Sequence, residues 1–155
     1  MTGFRPVKKP IHHEEAEQVA VVNYCAVRNI PIFAVPNGGH RNALEAKNLK
    51  RSGVKAGVPD LVIPLPNKTH HGLFIEMKFG KNKATGKQSL WQRNLRALGY
   101  RSEVCNGFAA AVSVIEEYIA DADDAYRSLV WREEETDEYF GALVKRAERR
   151  GGDEI

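Results

Sequence analysis

Apolar positions along this chain recur with two periods, and the alternation between them outlines an α/β domain. From Glu14 to Arg28 they fall at helical spacing, with Val19, Val22 and Ala26 on one stripe that Val21 and Cys25 widen. Ile30 to Pro36 reads as a short strand bounded by prolines, and Pro36-Asn37-Gly38-Gly39 as a turn. Asn42 is placed to cap a second helix running through Arg51, with Gly53 as its stop. Asp60 to Leu65 is a strand whose Pro64 puts the far end near a sheet edge or bulge. Asn67 to His71 is a loop, and Gly72 to Lys78 is a second strand, so the two form a hairpin. Lys81 to Lys87 is a Gly- and Lys-rich loop. Gln88 to Leu98 is a helix stopped by Gly99, on which Trp91, Leu95 and Leu98 form an apolar stripe. Arg101 to Cys105 is a strand and Gly107 to Ile119 a helix. The order α-β-α-β-β-α-β-α predicts an α/β sandwich with a mixed sheet. One or two further helices are expected around Tyr126–Trp131 and Tyr139–Arg149.

A length of 155 residues with 43% apolar content suits one packed domain. No apolar run reaches the roughly 20 residues that cross a bilayer, and the polar, basic start has no apolar stretch behind it to make a secretory signal. No membrane association and a cytoplasmic location are therefore expected. Cys25 and Cys105 sit in apolar-patterned segments and read as buried thiols. Charge changes the picture more. Residues 1–120 carry a net +8 and residues 121–155 a net −5, within an overall +3. This divides the chain into a basic body, 1–120, and an acidic, helical C-terminal extension, 121–155. A basic body fits a polyanion such as DNA or RNA.

The chemistry concentrates between Gly57 and Lys78: Gly-Val-Pro-Asp-Leu-Val-Ile, a loop, then Gly-Leu-Phe-Ile-Glu-Met-Lys. Side chains alternate along a strand, so Glu76 and Lys78 share a face that Ile75 and Met77 do not. If the two strands pair, Asp60 lies beside Glu76. Neighbouring carboxylates repel unless a cation sits between them, and oxygen donors of this kind suit Mg²⁺ or Mn²⁺. The Lys78 ammonium, two residues on, can orient an attacking water or offset charge on a phosphate. That is the chemistry of phosphodiester hydrolysis and the pattern of the PD-(D/E)xK nucleases. On the first helix, Glu14 and Gln18 stand one turn apart on one face, with Glu15 and Glu17 read as solvated.

From about His12 to Ile119 the sequence resembles the VRR-NUC (virus-type replication-repair nuclease) domain, in its small stand-alone phage and prophage form. The matching stretches are Glu14-x-x-x-Gln18, Pro36-Asn37-Gly38-Gly39, Gly57-Val58-Pro59-Asp60-Leu61, Gly72-Leu73-Phe74-Ile75-Glu76-Met77-Lys78, Gln88-x-x-Trp91-x-x-x-Leu95-x-x-x-Gly99-Tyr100 and the closing Ala-rich helix. Together they span roughly two-thirds of the chain in the right order. Met77 stands where the family often has Leu, a volume-conserving exchange. The resemblance implies a restriction-endonuclease-like core, a mixed β-sheet flanked by helices. It implies that Glu14, Asp60 and Glu76 bind the metal, with the Met77 carbonyl as a further ligand. Lys78 would be the catalytic lysine and Gln88 the glutamine beside the metal site. It also implies a homodimer acting on branched DNA such as four-way junctions, in a bacterial host cell.

Several basic and polar residues read as DNA contacts. Asn37, His40 and Arg41 follow the first strand beside two glycines, where backbone can approach a phosphate. Lys47, Lys50 and Arg51 share a face of the second helix, and Lys81, Lys83 and Lys87 line the loop leaving the active-site strand. His12, His13, His70 and His71 are adjacent pairs and read as exposed loop residues. The main expectation is a metal-dependent DNA endonuclease. The alternatives are an exonuclease or single-strand or flap nuclease on the same fold, and a catalytically silent DNA-binding module. The second alternative requires loss of an acid or the lysine, and all are present.

Overall fold

A computed structural model describes residues 13–36, 42–129 and 131. The elements run α1 (His13–Val27), β1 (Phe33–Ala34), α2 (Ala43–Arg51), β2 (Leu61–Ile63), β3 (Leu73–Lys78), α3 (Gly86–Ala97), β4 (Arg101–Asn106) and α4 (Phe108–Ala120), followed by a 3₁₀ turn at Asp124–Ser128. This is the element order expected from the periodicity. The sheet has four strands in the order β1-β2-β3-β4. β1–β2 and β2–β3 are antiparallel, and β3–β4 is parallel because α3 carries the chain across between them. The fold is therefore α/β with a mixed sheet.

Two layers of helix cover that sheet. On one face Leu61, Ile63, Leu73, Ile75, Met77 and Cys105 pack against Val21 and Cys25 of α1 and Ala111, Ile115 and Tyr118 of α4. α3 covers the other face, where Leu95 and Gln92 are buried and the Arg96 guanidinium donates to the Ser102 carbonyl of β4. Two apolar stripes differ from those that periodicity alone indicates. On α1 the buried stripe is Val21 and Cys25, whereas Val19 and Ala26 are exposed. Polar and apolar side chains are interleaved around α1, so period does not single out the inward side. On α3, Leu98 is 67% exposed and Gln92 is buried in its place.

Other boundaries differ for local reasons. Asn42 caps α2 through the Glu45 N–H at 2.8 Å, and Gly53 ends it at φ +103°, as expected. α3 starts earlier than the sequence indicates, because Thr85 is its cap and forms a reciprocal capping box with Gln88. Lys87 consequently lies in the first turn of α3 and not in a loop. His13 opens α1 and stacks on Phe79, and His70 is half-buried with its ring nitrogen on Thr69 Oγ1 at 2.8 Å. Those two are not free loop histidines. Both cysteines are unpaired and buried, and burial pushes the Cys25 thiol up to about 12 and Cys105 up to about 11. After α4 the chain stays on the body: Ala122 bridges Asn67, Tyr126 enters the core, and the Leu129 carbonyl accepts from Asn29. The helix expected around Tyr139–Arg149 lies outside the described residues.

Candidate active site

Strand register brings the two carboxylates together. Leu61 pairs with Ile75, so extending the antiparallel register by one residue sets Asp60 across from Glu76 on a shared face. β3 gives its even-numbered peptide groups to β4, as in Arg101 N–H to Gly72 C=O and Gly107 N–H to Lys78 C=O. The peptide groups of Leu73, Ile75 and Met77 therefore face β2. Beyond the last β2 pair, Asp60 Oδ2 accepts the Met77 N–H at 2.8 Å. This bond locks Asp60 at the strand end and leaves the Met77 carbonyl on the same side of β3.

Glu76 is 2% exposed and Lys78 8%, far from the solvated pair that an isolated Glu-x-Lys on a strand would make. Lys78 Nζ stands 3.3 Å from Glu76 Oε1. Gln88 Nε2 donates to the same oxygen. The orientation of that amide follows from its other bond. Gln88 Oε1 accepts the Thr85 N–H at 2.8 Å, and a backbone N–H can only donate, so the nitrogen must face Glu76. The capping box of α3 thus aims Gln88 into the site. The second carboxylate oxygen, Glu76 Oε2, is buried without a hydrogen-bond partner. A buried, unsatisfied acceptor is costly.

Glu14, on α1, is a third carboxylate whose charge bears on these two. With Gln18, Val21 and Cys25 it follows the 3.6-residue repeat, so the stripe that buries Val21 and Cys25 also carries Glu14 toward the sheet. Its charge is felt at both strand carboxylates. Burial, then the Asp60 charge, pushes the Glu76 carboxyl up to about 7, with Glu14 adding to the rise and Lys78 opposing it. Burial also raises Asp60, against the Met77 N–H and with a contribution from Glu14. Among the described residues, no three His, Cys, Asp or Glu side chains come together as a group that could hold a metal ion. The donor set nonetheless fits a hard divalent cation. It has carboxylate oxygens from separate elements, one of them orphaned and buried, and carboxyls that resist ionising together.

The VRR-NUC domain model matches residues 12–109. The chain belongs to the VRR-NUC domain family. A solved structure of a VRR-NUC domain protein is similar at 34% identity, with a TM-score of 0.62, over 72% of this chain and 91% of that one. No curated protein matches the chain. VRR-NUC domains are nucleases, so a nuclease-type, DNA-processing function follows. No helix among the described residues is long and apolar enough to cross a membrane.

The remaining expected contacts divide by position. Lys47, Lys50 and Arg51 lie on α2, with Lys47 and Arg51 one turn apart and all three exposed. Lys81 and Lys83 are exposed in the β3–α3 connection, and Lys87 is exposed in the first turn of α3. Asn37, His40 and Arg41 lie outside the described residues. Sequence reasoning misses Glu17, which it reads as solvated. Glu17 is half-buried, and its carboxylate accepts the Phe108 N–H at the start of α4, where Gly107 offers no side-chain cap. Gly57, part of a matching stretch but without a role read from the sequence, lies at φ +89°, where a Cβ would come within 2.8 Å of the Lys87 backbone. The signal is present in the Gly-x-Pro-Asp spacing, but its cause is the contact with α3.

Proposed function

We propose that this chain is a Mg²⁺- or Mn²⁺-dependent DNA endonuclease that acts on branched DNA as a homodimer. The observation that carries the metal reading is Glu76. It is a buried carboxylate with an orphaned oxygen, opposite Asp60 and within reach of Lys78. Asp60, Glu76 and Glu14 would hold the ion, with the Met77 carbonyl as a further oxygen donor. When bound, it supplies positive charge that offsets the carboxylates and the phosphate. Asp60 is held for this by the Met77 N–H, and Glu76 by Gln88. Lys78, a donor only, orients the attacking water or donates to a phosphoryl oxygen. Water adds to phosphorus, one P–O ester bond breaks, and the leaving oxygen takes a proton.

Branched-DNA selectivity and dimerisation have a common argument. A chain with one such site cuts one strand, and symmetric cutting of a junction needs two sites related by a two-fold axis. The exposed basic side chains of α2 and of the β3–α3 connection would neutralise phosphates flanking the site. The test incubates purified protein with labelled four-way junction, flap, duplex and single strand, in Mg²⁺, in Mn²⁺ and in chelator. Metal-dependent internal cuts in the junction are expected, and Asp60→Ala should abolish them. Cutting unaffected by chelator would overturn the metal reading. Stepwise release from ends would replace the endonuclease by an exonuclease on the same centre.

A further inference from the structure

An aromatic pair sits at the rim of this site, and neither the catalytic chemistry nor the core accounts for it. Phe79 follows Lys78 directly, and His13 precedes Glu14 directly. Their rings stack with centroids 4.8 Å apart and planes 12° from parallel. Phe79 is 39% exposed and His13 is exposed as well, so the pair stands in solvent as a short stack whose outer ring face can take a further flat group. Neither belongs to the buried cluster between sheet and helices. Behind Phe79 the chain turns through Gly80 at φ +62°, and the Asn106 amide ties the Gly80 carbonyl to the end of β4, so the turn carrying the ring is anchored. Exposed Lys81 and Lys83 follow in the same connection.

We propose that Phe79 and His13 form a stacking platform for a nucleobase next to the scissile phosphate. The inference rests on the nuclease reading above and adds a base-binding subsite to it. Adjacent residues are about 3.8 Å apart along the chain. Phe79 adjoins Lys78 and His13 adjoins Glu14 in the chain, so the pair flanks the residues proposed to hold the phosphate, at the spacing of a neighbouring nucleotide. Every base has an apolar π face, so aromatic side chains take bases without regard to sequence, and neighbouring lysines hold the backbone. In an uninterrupted duplex both faces of a base are already covered by its neighbours. A protein ring gains a base only where the stack is broken, at a branch point, flap or single-stranded end. The platform thus gives the centre a physical means of preferring interrupted DNA, separate from the metal and from charge.

The experiment uses full-length protein and DNA carrying 2-aminopurine on either side of the cut position, in a junction and in plain duplex. Binding is read in Ca²⁺, so that the signal does not depend on turnover, and cleavage is read separately in Mg²⁺. The fluorescence change expected of a base leaving the duplex stack and joining a protein ring should appear with junction and be absent from duplex. Phe79→Leu keeps apolar bulk but removes the π face. It should lose that signal and weaken junction binding by about tenfold, within the range for one stacked base, with Mn²⁺ affinity and melting temperature unchanged. Phe79→Leu behaving as wild type in the fluorescence assay would overturn the platform. So would loss of Mn²⁺ affinity and turnover with the fluorescence signal intact, because the pair would then only pin the first turn of α1. Wild-type protein that binds with the signal but cuts nothing in any metal would refute the nuclease reading and leave the platform standing.

Discussion

At the scale of single residues, the site is built around Glu76, whose burial beside Asp60 disfavours the charged form when no cation is bound. Glu76 has its carboxyl pushed up to about 7 in the fold, so in the metal-free protein it holds a proton that the unfolded chain releases near its ordinary range. The folded state binds more protons across that window, and stability therefore falls as pH rises from about 4.5 to about 7. Asp60 is raised as well and contributes in the same direction. Glu76→Gln should flatten this slope and make the metal-free protein more stable at pH 8, by an amount on the order of 3 kcal/mol at most. Thermal melts of both proteins at pH 5 and pH 8 check it, and an unchanged slope would remove Glu76 as its source. Added Mn²⁺ should raise the wild-type melting temperature more at pH 8 than at pH 5, because the ion competes with protons for the same oxygens. Lys78 separates from the ligands by a different readout. Lys78→Met keeps the buried stem and should keep Mn²⁺ binding in a calorimetric titration. Turnover should fall by at least about 10²-fold if the ammonium acts in the transition state. Near-normal turnover would reduce Lys78 to a partner of Glu76.

At the scale of elements, each side chain proposed for the site is aimed by a structural device one step removed. The capping box of α3 turns Gln88 toward Glu76, the β2–β3 register sets Asp60 opposite Glu76, and the buried stripe of α1 delivers Glu14. Glu17, on the same helix, ties α1 to the first turn of α4. Gly57 lets the turn before Asp60 lie against the first turn of α3, at a φ of +89° that other residues rarely adopt. Gly57→Ala combines a backbone clash with an unfavourable φ and should cost about 1–3 kcal/mol. Because the contact joins the Asp60 and Gln88 elements, cleavage should fall along with the melting temperature. A stable Gly57→Ala protein of normal activity would show that the two elements need not touch.

At the scale of the whole molecule, the acidic C-terminal part does not simply hang from the basic body. Asp121–Leu129 folds back, with Tyr126 in the core and the Leu129 carbonyl bonded to Asn29. Leu129 and Trp131 nevertheless remain 53% and 46% exposed. Apolar groups of that size beside α1 are the surface we expect a second copy to cover. Light scattering should give twice the chain mass of 17.3 kDa. Leu129→Asp with Trp131→Asp should halve the mass and convert paired junction cuts into single nicks. A wild-type monomer would overturn the dimer and leave the metal centre as it stands.

Local pattern is enough for the element order, the α2 and Gly53 boundaries, and the hairpin that pairs Asp60 with Glu76. These depend on side-chain period, caps and turn residues, which act over a few positions. The residues proposed for the site, Glu14, Asp60, Glu76, Lys78 and Gln88, are named from short motifs, and the fold sets Asp60 across from Glu76 with Lys78 and Gln88 on the Glu76 carboxylate. What period cannot decide is which side of a helix with polar and apolar side chains interleaved all round faces inward. Val19 and Ala26 are exposed, and Val21 and Cys25 buried, because α1 packs on the sheet and α4 together. Nor can it show that Gln88 is oriented by Thr85, that Glu17 caps a helix 91 residues away, or that His13 rests on Phe79. Those contacts join distant parts of the chain, and only the packing of helices on the sheet brings their partners within reach.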